Sequence, residues 1–157
     1  MTTAELGKAH EILLVEDNLA DSHLTAQVLK KIGVIHNLSV VRNGVEAMDF
    51  LRQEGMFLDA PRPDIILLDL NMSGKDGRET LAEIKTNTHL KNIPVIVFTT
   101  SNHDRDIFDS YHHSANAYII KPRELSEYVH VMKALTDFWF DRHCKMPPLS
   151  EDWSGYF

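Results

Sequence analysis

The chain has one cysteine, Cys144, among its 157 residues, so it cannot form an internal disulfide. A single cysteine fits a reducing compartment, and we expect the protein to work in the cytoplasm. The sequence also lacks an apolar run of the roughly 18 residues that a membrane-spanning helix requires. Residues 1–10 contain no apolar run of signal-peptide length. These absences argue against a secreted or membrane-embedded protein.

Several signatures of common binding and enzyme classes are also absent. The Gly-rich dinucleotide fingerprint is missing after the first apolar run, where Glu16 and Asp17 stand instead. The sequence contains neither a Walker-type phosphate loop nor a nucleophile elbow. Among the histidines, His112 and His113 are adjacent and cannot share one helix face, so a zinc site is not expected. The net charge of −7 gives no basis for binding nucleic acid or an anionic membrane.

What the sequence does contain is five short apolar runs that alternate with segments of helical periodicity. The runs at 12–15, 65–68 and 95–98 are unbroken, which is typical of strands covered on both faces of a parallel sheet. The weaker runs at 38–41 and 117–120 are expected nearer the sheet edges. The helical stripes between them are Leu24, Val28, Leu29 and Ile32; Val45, Met48, Phe50 and Leu51; Thr80, Leu81 and Ile84; and Ile107 and Tyr111. This order predicts an α/β fold with a doubly wound, five-stranded parallel sheet.

Polar side chains with related chemistry follow four of the five apolar runs. Glu16 and Asp17 follow the first run, and Asp69 follows the third. Thr99 follows the fourth run and Lys121 the fifth. Ligands bind at the carboxyl ends of the strands in such sheets. We therefore expect three carboxylates, one hydroxyl and one ammonium group to meet in one pocket.

This set of side chains indicates a Mg²⁺ and phosphoryl site. Three close carboxylates raise one another's pKa, and a hard divalent cation removes the repulsion. Lys121 would supply a positive charge, and Thr99 a hydrogen bond, to a phosphoryl group on Asp69. A single Asp after a strand is usually a turn or helix cap, and a Lys-Pro pair is usually only a turn. The specific signal is the coincidence of four such positions.

These motifs resemble those of the receiver (CheY-like) family of response regulators, from about residue 11 to residue 140. The segments that carry the resemblance are ILLVEDN (12–18), NGVEA (43–47), DIILLDLNM (64–72), DG (76–77), IPVIVFTT (93–100) and AYIIKP (117–122). The resemblance implies a flavodoxin-like (βα)5 receiver fold. It places a receiver domain at 11–143, between an N-terminal tail at 1–10 and a C-terminal tail at 144–157.

The resemblance also implies a role for each site residue. The Mg²⁺ ligands would be Glu16, Asp17, Asp69 and the backbone carbonyl of Asn71. Asp69 would accept the phosphoryl group from a sensor histidine kinase, so the protein would catalyse at most its own phosphorylation and dephosphorylation. The catalytic and switch residues would be Thr99, Lys121 and Tyr118. The long loop before the third strand and the aromatic C-terminal extension resemble small regulators paired with cyanobacterial and bacterial phytochromes.

The sequence departs from the family pattern at three positions. Ser73 stands where the family usually has Pro, Glu16 replaces the commoner Asp, and Thr100 is bulkier than the usual Ala. None of these changes removes a required group. A phosphohydrolase of the haloacid-dehalogenase type would need a second Asp where Asn71 stands, which argues against that alternative. A purely structural interaction module is the third interpretation, and a Mg²⁺ titration would separate it from the first.

The last helical segment has two apolar faces. Leu125, Tyr128, Val129, Met132 and Trp139 lie on the face expected to cover the sheet. The second face consists of Val131, Ala134 and Phe138. Together they exceed the roughly 100° arc that a surface helix needs. We therefore expect a homodimer interface at the second face, and the alternative is a fold-back of the tail through Trp153, Tyr156 and Phe157.

Overall fold

Five parallel strands form one sheet in the part of the chain that the computed structural model describes, residues 8–140. The strands are β1 (His10–Val15), β2 (His36–Val41), β3 (Ile65–Leu68), β4 (Val95–Thr99) and β5 (Ala117–Ile120). Their order in the sheet is β2-β1-β3-β4-β5. The predicted doubly wound sheet is therefore confirmed, and the two weaker apolar runs do form its edges.

The helices alternate with the strands as predicted. They are α1 (Leu19–Lys31), α2 (Gly44–Arg52), α3 (Gly77–Thr86), α4 (Asp104–His112) and α5 (Leu125–Trp139), with a short 3₁₀ helix at Gly55–Phe57 before β3. The first three begin at residues with short polar side chains, Asn18, Asn43 and Asp76, each of which accepts a backbone N–H of the first turn. Such caps satisfy donors that have no partner inside the helix.

The core has two halves, one on each face of the sheet. Alternate residues of a strand point to opposite faces. Leu13 on β1 packs with side chains of α2 and α3, whereas its neighbour Leu14 packs with side chains of α1 and α5. A buried hydrogen bond of 2.7 Å between Thr25 and Tyr128 joins α1 to α5. Because both faces are covered, the central strands are apolar throughout.

The faces of α5 agree only partly with the sequence analysis. Tyr128 and Met132 are buried as expected, but Leu125 is 56% exposed, so its assignment to the core-facing side was wrong. Leu125 is the first residue of the helix, one turn before the first residue that reaches the core. Val45 is likewise exposed although the helical stripe placed it inside.

On the second face of α5, Val131 is half-buried and Ala134 is exposed. Phe138 on the same face is 62% exposed. Cys144 and the aromatic tail residues from Trp153 onward lie outside the described residues, as do residues 1–7. Within residues 8–140, no helix combines the length and the apolar character that a membrane crossing requires.

Candidate functional site

The ends of β1 and β3 bring three carboxylates together. These strands are neighbours in parallel register, with Val15 opposite Leu68, so the residues that follow them emerge side by side. Glu16, Asp17 and Asp69 each offer an oxygen within 4.8 Å of the others. Glu16 and Asp69 are buried, and Asp17 is exposed. The structure therefore places the predicted carboxylates in one cluster at the carboxyl end of the sheet.

Lys121 enters the cluster from the end of β5. Its side chain is 6% exposed, and the ammonium group donates to Glu16, to Asp69 Oδ2 at 3.3 Å and to Asp21 Oδ2 at 3.0 Å. Lysine has three N–H donors, so each can serve a different carboxylate. The sequence predicts Lys121 in the pocket, but it does not indicate Asp21.

The pKa values of the two buried carboxyl groups move apart. Burial, together with the neighbouring Asp69 carboxyl group, raises the pKa of Glu16 to about 8, although Lys121 partly offsets this. Burial also opposes ionisation of Asp69, but the neighbouring Glu16 and the charge of Lys121 hold its pKa below the ordinary value. The pKa of Lys121 lies above its ordinary value despite burial, because the carboxylates stabilise the ammonium form. The environment of the cluster thus moves the pKa values of its two buried carboxyl groups in opposite directions.

One atom of the cluster indicates how a metal ion would fit. Glu16 Oε2 is buried and has no hydrogen-bond partner within residues 8–140. A buried carboxylate oxygen without a partner is costly unless a ligand satisfies it. A hard divalent cation bound by carboxylate oxygens would do so, and the donor set suits Mg²⁺. Asn71 donates its backbone N–H to Asp69 Oδ1 at 3.1 Å, and the role of its carbonyl as a metal ligand stays a prediction.

Thr99 and Tyr118 both contact the backbone of Ser101, a residue that the sequence pattern does not indicate. Thr99 ends β4, and its buried hydroxyl lies 3.5 Å from the Ser101 backbone nitrogen and 3.5 Å from Asn71 Nδ2. The Tyr118 hydroxyl donates to the Ser101 carbonyl at 2.8 Å, and its ring packs against the core. The backbone N–H of Ser101 therefore faces Thr99, and its carbonyl faces Tyr118, so Ser101 links the two predicted switch residues.

Ser101 also belongs to a polar network at the start of α4. Its hydroxyl donates to Asp106 at 2.6 Å, and Arg78 on α3 donates to the same carboxylate at 3.0 and 2.9 Å. These hydrogen bonds, first that from Arg78, hold the pKa of Asp106 below its ordinary value. The network ties α3 and α4 together beside the site.

Ser73, noted above as a departure from the family pattern, contacts one of the predicted metal ligands. Its backbone N–H and hydroxyl both donate to Asp17 Oδ2, at 2.9 and 3.3 Å. A proline has no N–H and no hydroxyl, so it could make neither bond. The difference from the family pattern therefore adds a contact at the site.

Gly77 lets the start of α3 approach the site closely. A Cβ atom at this position would lie 2.1 Å from the carbonyl oxygen of Asp69 and 2.7 Å from the Cα atom of Leu70. Both are backbone atoms that cannot move aside without displacing the segment that carries Asp69. Position 77 therefore has no room for a side chain, and only glycine fits there.

The sheet order, the acidic cluster and the buried lysine together are those of a receiver domain of the two-component type. The sequence model of the response regulator receiver domain matches residues 12–133, and the chain belongs to this family.

Similar proteins include a phytochrome response regulator. Response regulator Rcp1 of Synechocystis sp. is 48% identical over 130 residues, which cover 83% of this chain and 88% of Rcp1. The crystal structure of the phosphorylated cyanobacterial phytochrome response regulator RcpA has a TM-score of 0.84 and 47% identity, covering 90% of this chain and 100% of RcpA. A Mn²⁺-bound crystal structure of Rcp1 has a TM-score of 0.81 and 45% identity, covering 88% of this chain and 99% of that one.

Proposed function

We propose that Asp69 accepts a phosphoryl group from a sensor histidine kinase and that the phosphorylated chain switches partner binding. The observation that carries the proposal is the placement of Asp69 between Glu16, Asp17 and Lys121 at the carboxyl end of the sheet. Membership of the receiver family and the similarity to phosphorylated RcpA support it. The lowered pKa of Asp69 keeps its carboxylate ionised, as a nucleophile must be.

The residues of the site have separate tasks in this reaction. An oxygen of Asp69 forms a bond to phosphorus while the bond between phosphorus and the kinase imidazole breaks. Glu16, Asp17, Asp69 and the Asn71 carbonyl would hold Mg²⁺, which would supply positive charge to the phosphoryl oxygens. Lys121 turns one N–H from the Asp69 carboxylate to a phosphoryl oxygen.

The switch follows from the same change. The Thr99 hydroxyl moves to the phosphoryl group, and Tyr118 adjusts its packing beside Ser101, which shifts the population between two arrangements. In this role the chain catalyses at most its own phosphorylation and dephosphorylation. We further propose a phytochrome-type histidine kinase as partner, on the basis of the similarity to the phytochrome response regulator RcpA. A cytoplasmic location, and the lack of nucleic-acid and membrane partners, stay predictions.

Labelling with acetyl phosphate and Mg²⁺, followed by intact-mass measurement, tests the phosphoacceptor. The parent should gain one phosphoryl group that hydroxylamine removes, and Asp69→Asn should gain none. Asp59→Asn is a matched control, because Asp59 is exposed in the connection between α2 and β3. Full labelling of Asp69→Asn, or no labelling of the parent, would contradict the proposal.

We also propose that α5 forms a homodimer interface through Val131, Ala134 and Phe138. The supporting observation is the large exposed aromatic ring of Phe138, with the exposed Ala134 one turn before it. Covering this face removes apolar surface from water at roughly 25 cal/mol per Å². In a two-fold dimer each residue contributes twice.

Phe138→Glu should yield a folded monomer, because Tyr128 and Met132 on the core-facing side are unchanged. Light scattering measures the mass, and circular dichroism confirms the fold. Val45→Glu is the matched control, since Val45 is another exposed apolar side chain, on α2. A parent that is already monomeric, or a Phe138→Glu variant that stays dimeric, would refute this interface. Self-association of a chain that lacks residues 153–157 would instead support the folded-back tail.

A further inference from the structure

Asp21 is a fourth carboxylate at the site, and it comes from a different element. It lies in the first turn of α1, whereas the other three carboxylates follow strands. Its Oδ2 atom is 3.0 Å from Lys121 Nζ, closer than the 3.3 Å that separates Lys121 from Asp69. Neither the predicted metal ligands nor the predicted catalytic and switch residues include Asp21.

Asp21 is well placed to keep this contact. The cap residue Asn18 accepts the Asp21 backbone N–H at 3.0 Å, which holds the first turn of α1 in place. The hydrogen bond between Thr25 and Tyr128 anchors α1 to α5 one turn further on. The Asp21 side chain is 36% exposed, whereas Lys121 is almost completely buried. Asp21 thus fixes Lys121 from the solvent side of the cluster.

The other two carboxylate partners of Lys121 would take on new bonds when the site holds Mg²⁺ and a phosphoryl group. Glu16 and Asp69 are both predicted Mg²⁺ ligands, and Asp69 is the proposed phosphoacceptor. Their oxygens would therefore bind the metal ion or phosphorus during the reaction, whereas Asp21 is predicted to bind neither. An ammonium group with one N–H held by Asp21 keeps its remaining donors directed toward Asp69.

We propose that Asp21 is a positioning residue that orients Lys121 toward the phosphoryl group on Asp69 and limits its competition with Mg²⁺ for Glu16 and Asp69. The inference rests on the proposed function and adds a residue to it. In the alternative, Asp21 would only stabilise the positive end of the α1 helix dipole and would have no effect on Lys121.

The first test compares rates of phosphorylation by acetyl phosphate. Asp21→Asn should slow the reaction by about three- to tenfold, the effect of losing one charge-assisted hydrogen bond at a partly exposed site. Asp21→Glu retains the carboxylate and should restore most of the rate. Glu127→Gln removes the same charge from an exposed position in the first turn of α5 and should leave the rate unchanged. A parent-like rate for Asp21→Asn, or equal slowing by Glu127→Gln, would overturn the proposal.

The second test is a double-mutant cycle on Mg²⁺ affinity, measured by calorimetric titration. Asp21→Asn should weaken Mg²⁺ binding about threefold when Lys121 is present, because the ammonium then lies on Glu16 and Asp69 alone. In a Lys121→Met background the same change should weaken binding by less than about 1.5-fold. Equal weakening in both backgrounds would show that Asp21 acts without Lys121. The titration requires no phosphoryl transfer, so it decides on Asp21 even if the proposed function fails.

Discussion

Two lysine ammonium groups lie in similar hydrogen-bonding environments at opposite ends of the sheet. Lys121, at the carboxyl end, donates to three carboxylates. Lys85, on α3 at the amino end, donates to the carbonyls of Lys91 and Ile93 at 3.0 and 2.9 Å and to Asn116 Oδ1 at 2.8 Å. Each ammonium group thus has three oxygen acceptors, but only those of Lys121 are charged.

The pKa values show the consequence. Burial lowers the pKa of Lys85 to about 8, whereas the pKa of Lys121 is raised although it is also buried. Neutral oxygens satisfy the hydrogen bonds of an ammonium group but do not compensate its charge, while carboxylates do both. Lys85 is therefore a bridge between α3 and the loops before β4 and β5. Lys121 instead places a positive charge next to Asp69.

The largest difference between the two lysines should appear on replacement by methionine. Without Mg²⁺, Lys121→Met should lower the free energy of unfolding by about 3 kcal/mol, because buried carboxylates lose their counter-charge. Lys85→Met should cost about 1 kcal/mol, from lost hydrogen bonds to neutral groups. Urea denaturation with and without Mg²⁺ measures both values. Mg²⁺ should restore part of the lost stability in Lys121→Met and none in Lys85→Met. Equal responses of the two variants would contradict the proposed difference between the two lysines.

The second prediction concerns the alkaline pH dependence of stability. The pKa of Lys85 is lower in the folded chain than the usual unfolded value of about 10.4. Between these values the unfolded state binds more protons, so stability rises with pH from about 8 to about 10. Relative to Lys85→Met, the parent should gain about 1 to 2 kcal/mol over this range, allowing for partial exposure. Urea denaturation at several pH values measures it. Lys30→Met, which removes an exposed lysine, should show no such gain, and a flat parent difference would contradict the prediction.

The smallest effect should come from giving Lys85 a charged partner. Asn116→Asp keeps an oxygen that can accept from both Lys85 and the Val95 backbone N–H. The new carboxylate should raise the pKa of Lys85 and add less than about 1 kcal/mol of stability at pH 7, since Asn116 is exposed. The same denaturation series should then show a smaller rise between pH 8 and 10 than the parent shows. A rise equal to that of the parent would mean that acceptor charge does not explain the difference between the two lysines.

The fold and the main site could be predicted because they rest on local signals. Buried parallel strands must be apolar on both faces, so the runs at 65–68 and 95–98 stand out, and Asp69 stands out directly after one of them. Its neighbours at the carboxyl ends of β1 and β5 follow from the parallel order alone. The identification of Glu16, Asp17 and Lys121 as residues of one pocket required no knowledge of side-chain positions.

The contacts that could not be predicted depend on how helices and loops sit on the sheet. Asp21 reaches Lys121 because of the rotation of α1 about its axis, and an acidic residue in a first turn is too common to indicate this. Lys85 binds backbone carbonyls, which leave no trace in the sequence. The exposure of Leu125 depends on where α5 begins relative to the sheet edge, which an apolar stripe does not determine.

The most direct test of the account is to locate the phosphoryl group in the chain. After labelling with acetyl phosphate and Mg²⁺, borohydride reduction converts a phosphorylated aspartate to homoserine, which peptide mass spectrometry can place. We expect homoserine at position 69 alone, and only in samples that contain Mg²⁺. Homoserine at another aspartate, or at position 69 in equal amount without Mg²⁺, would contradict it.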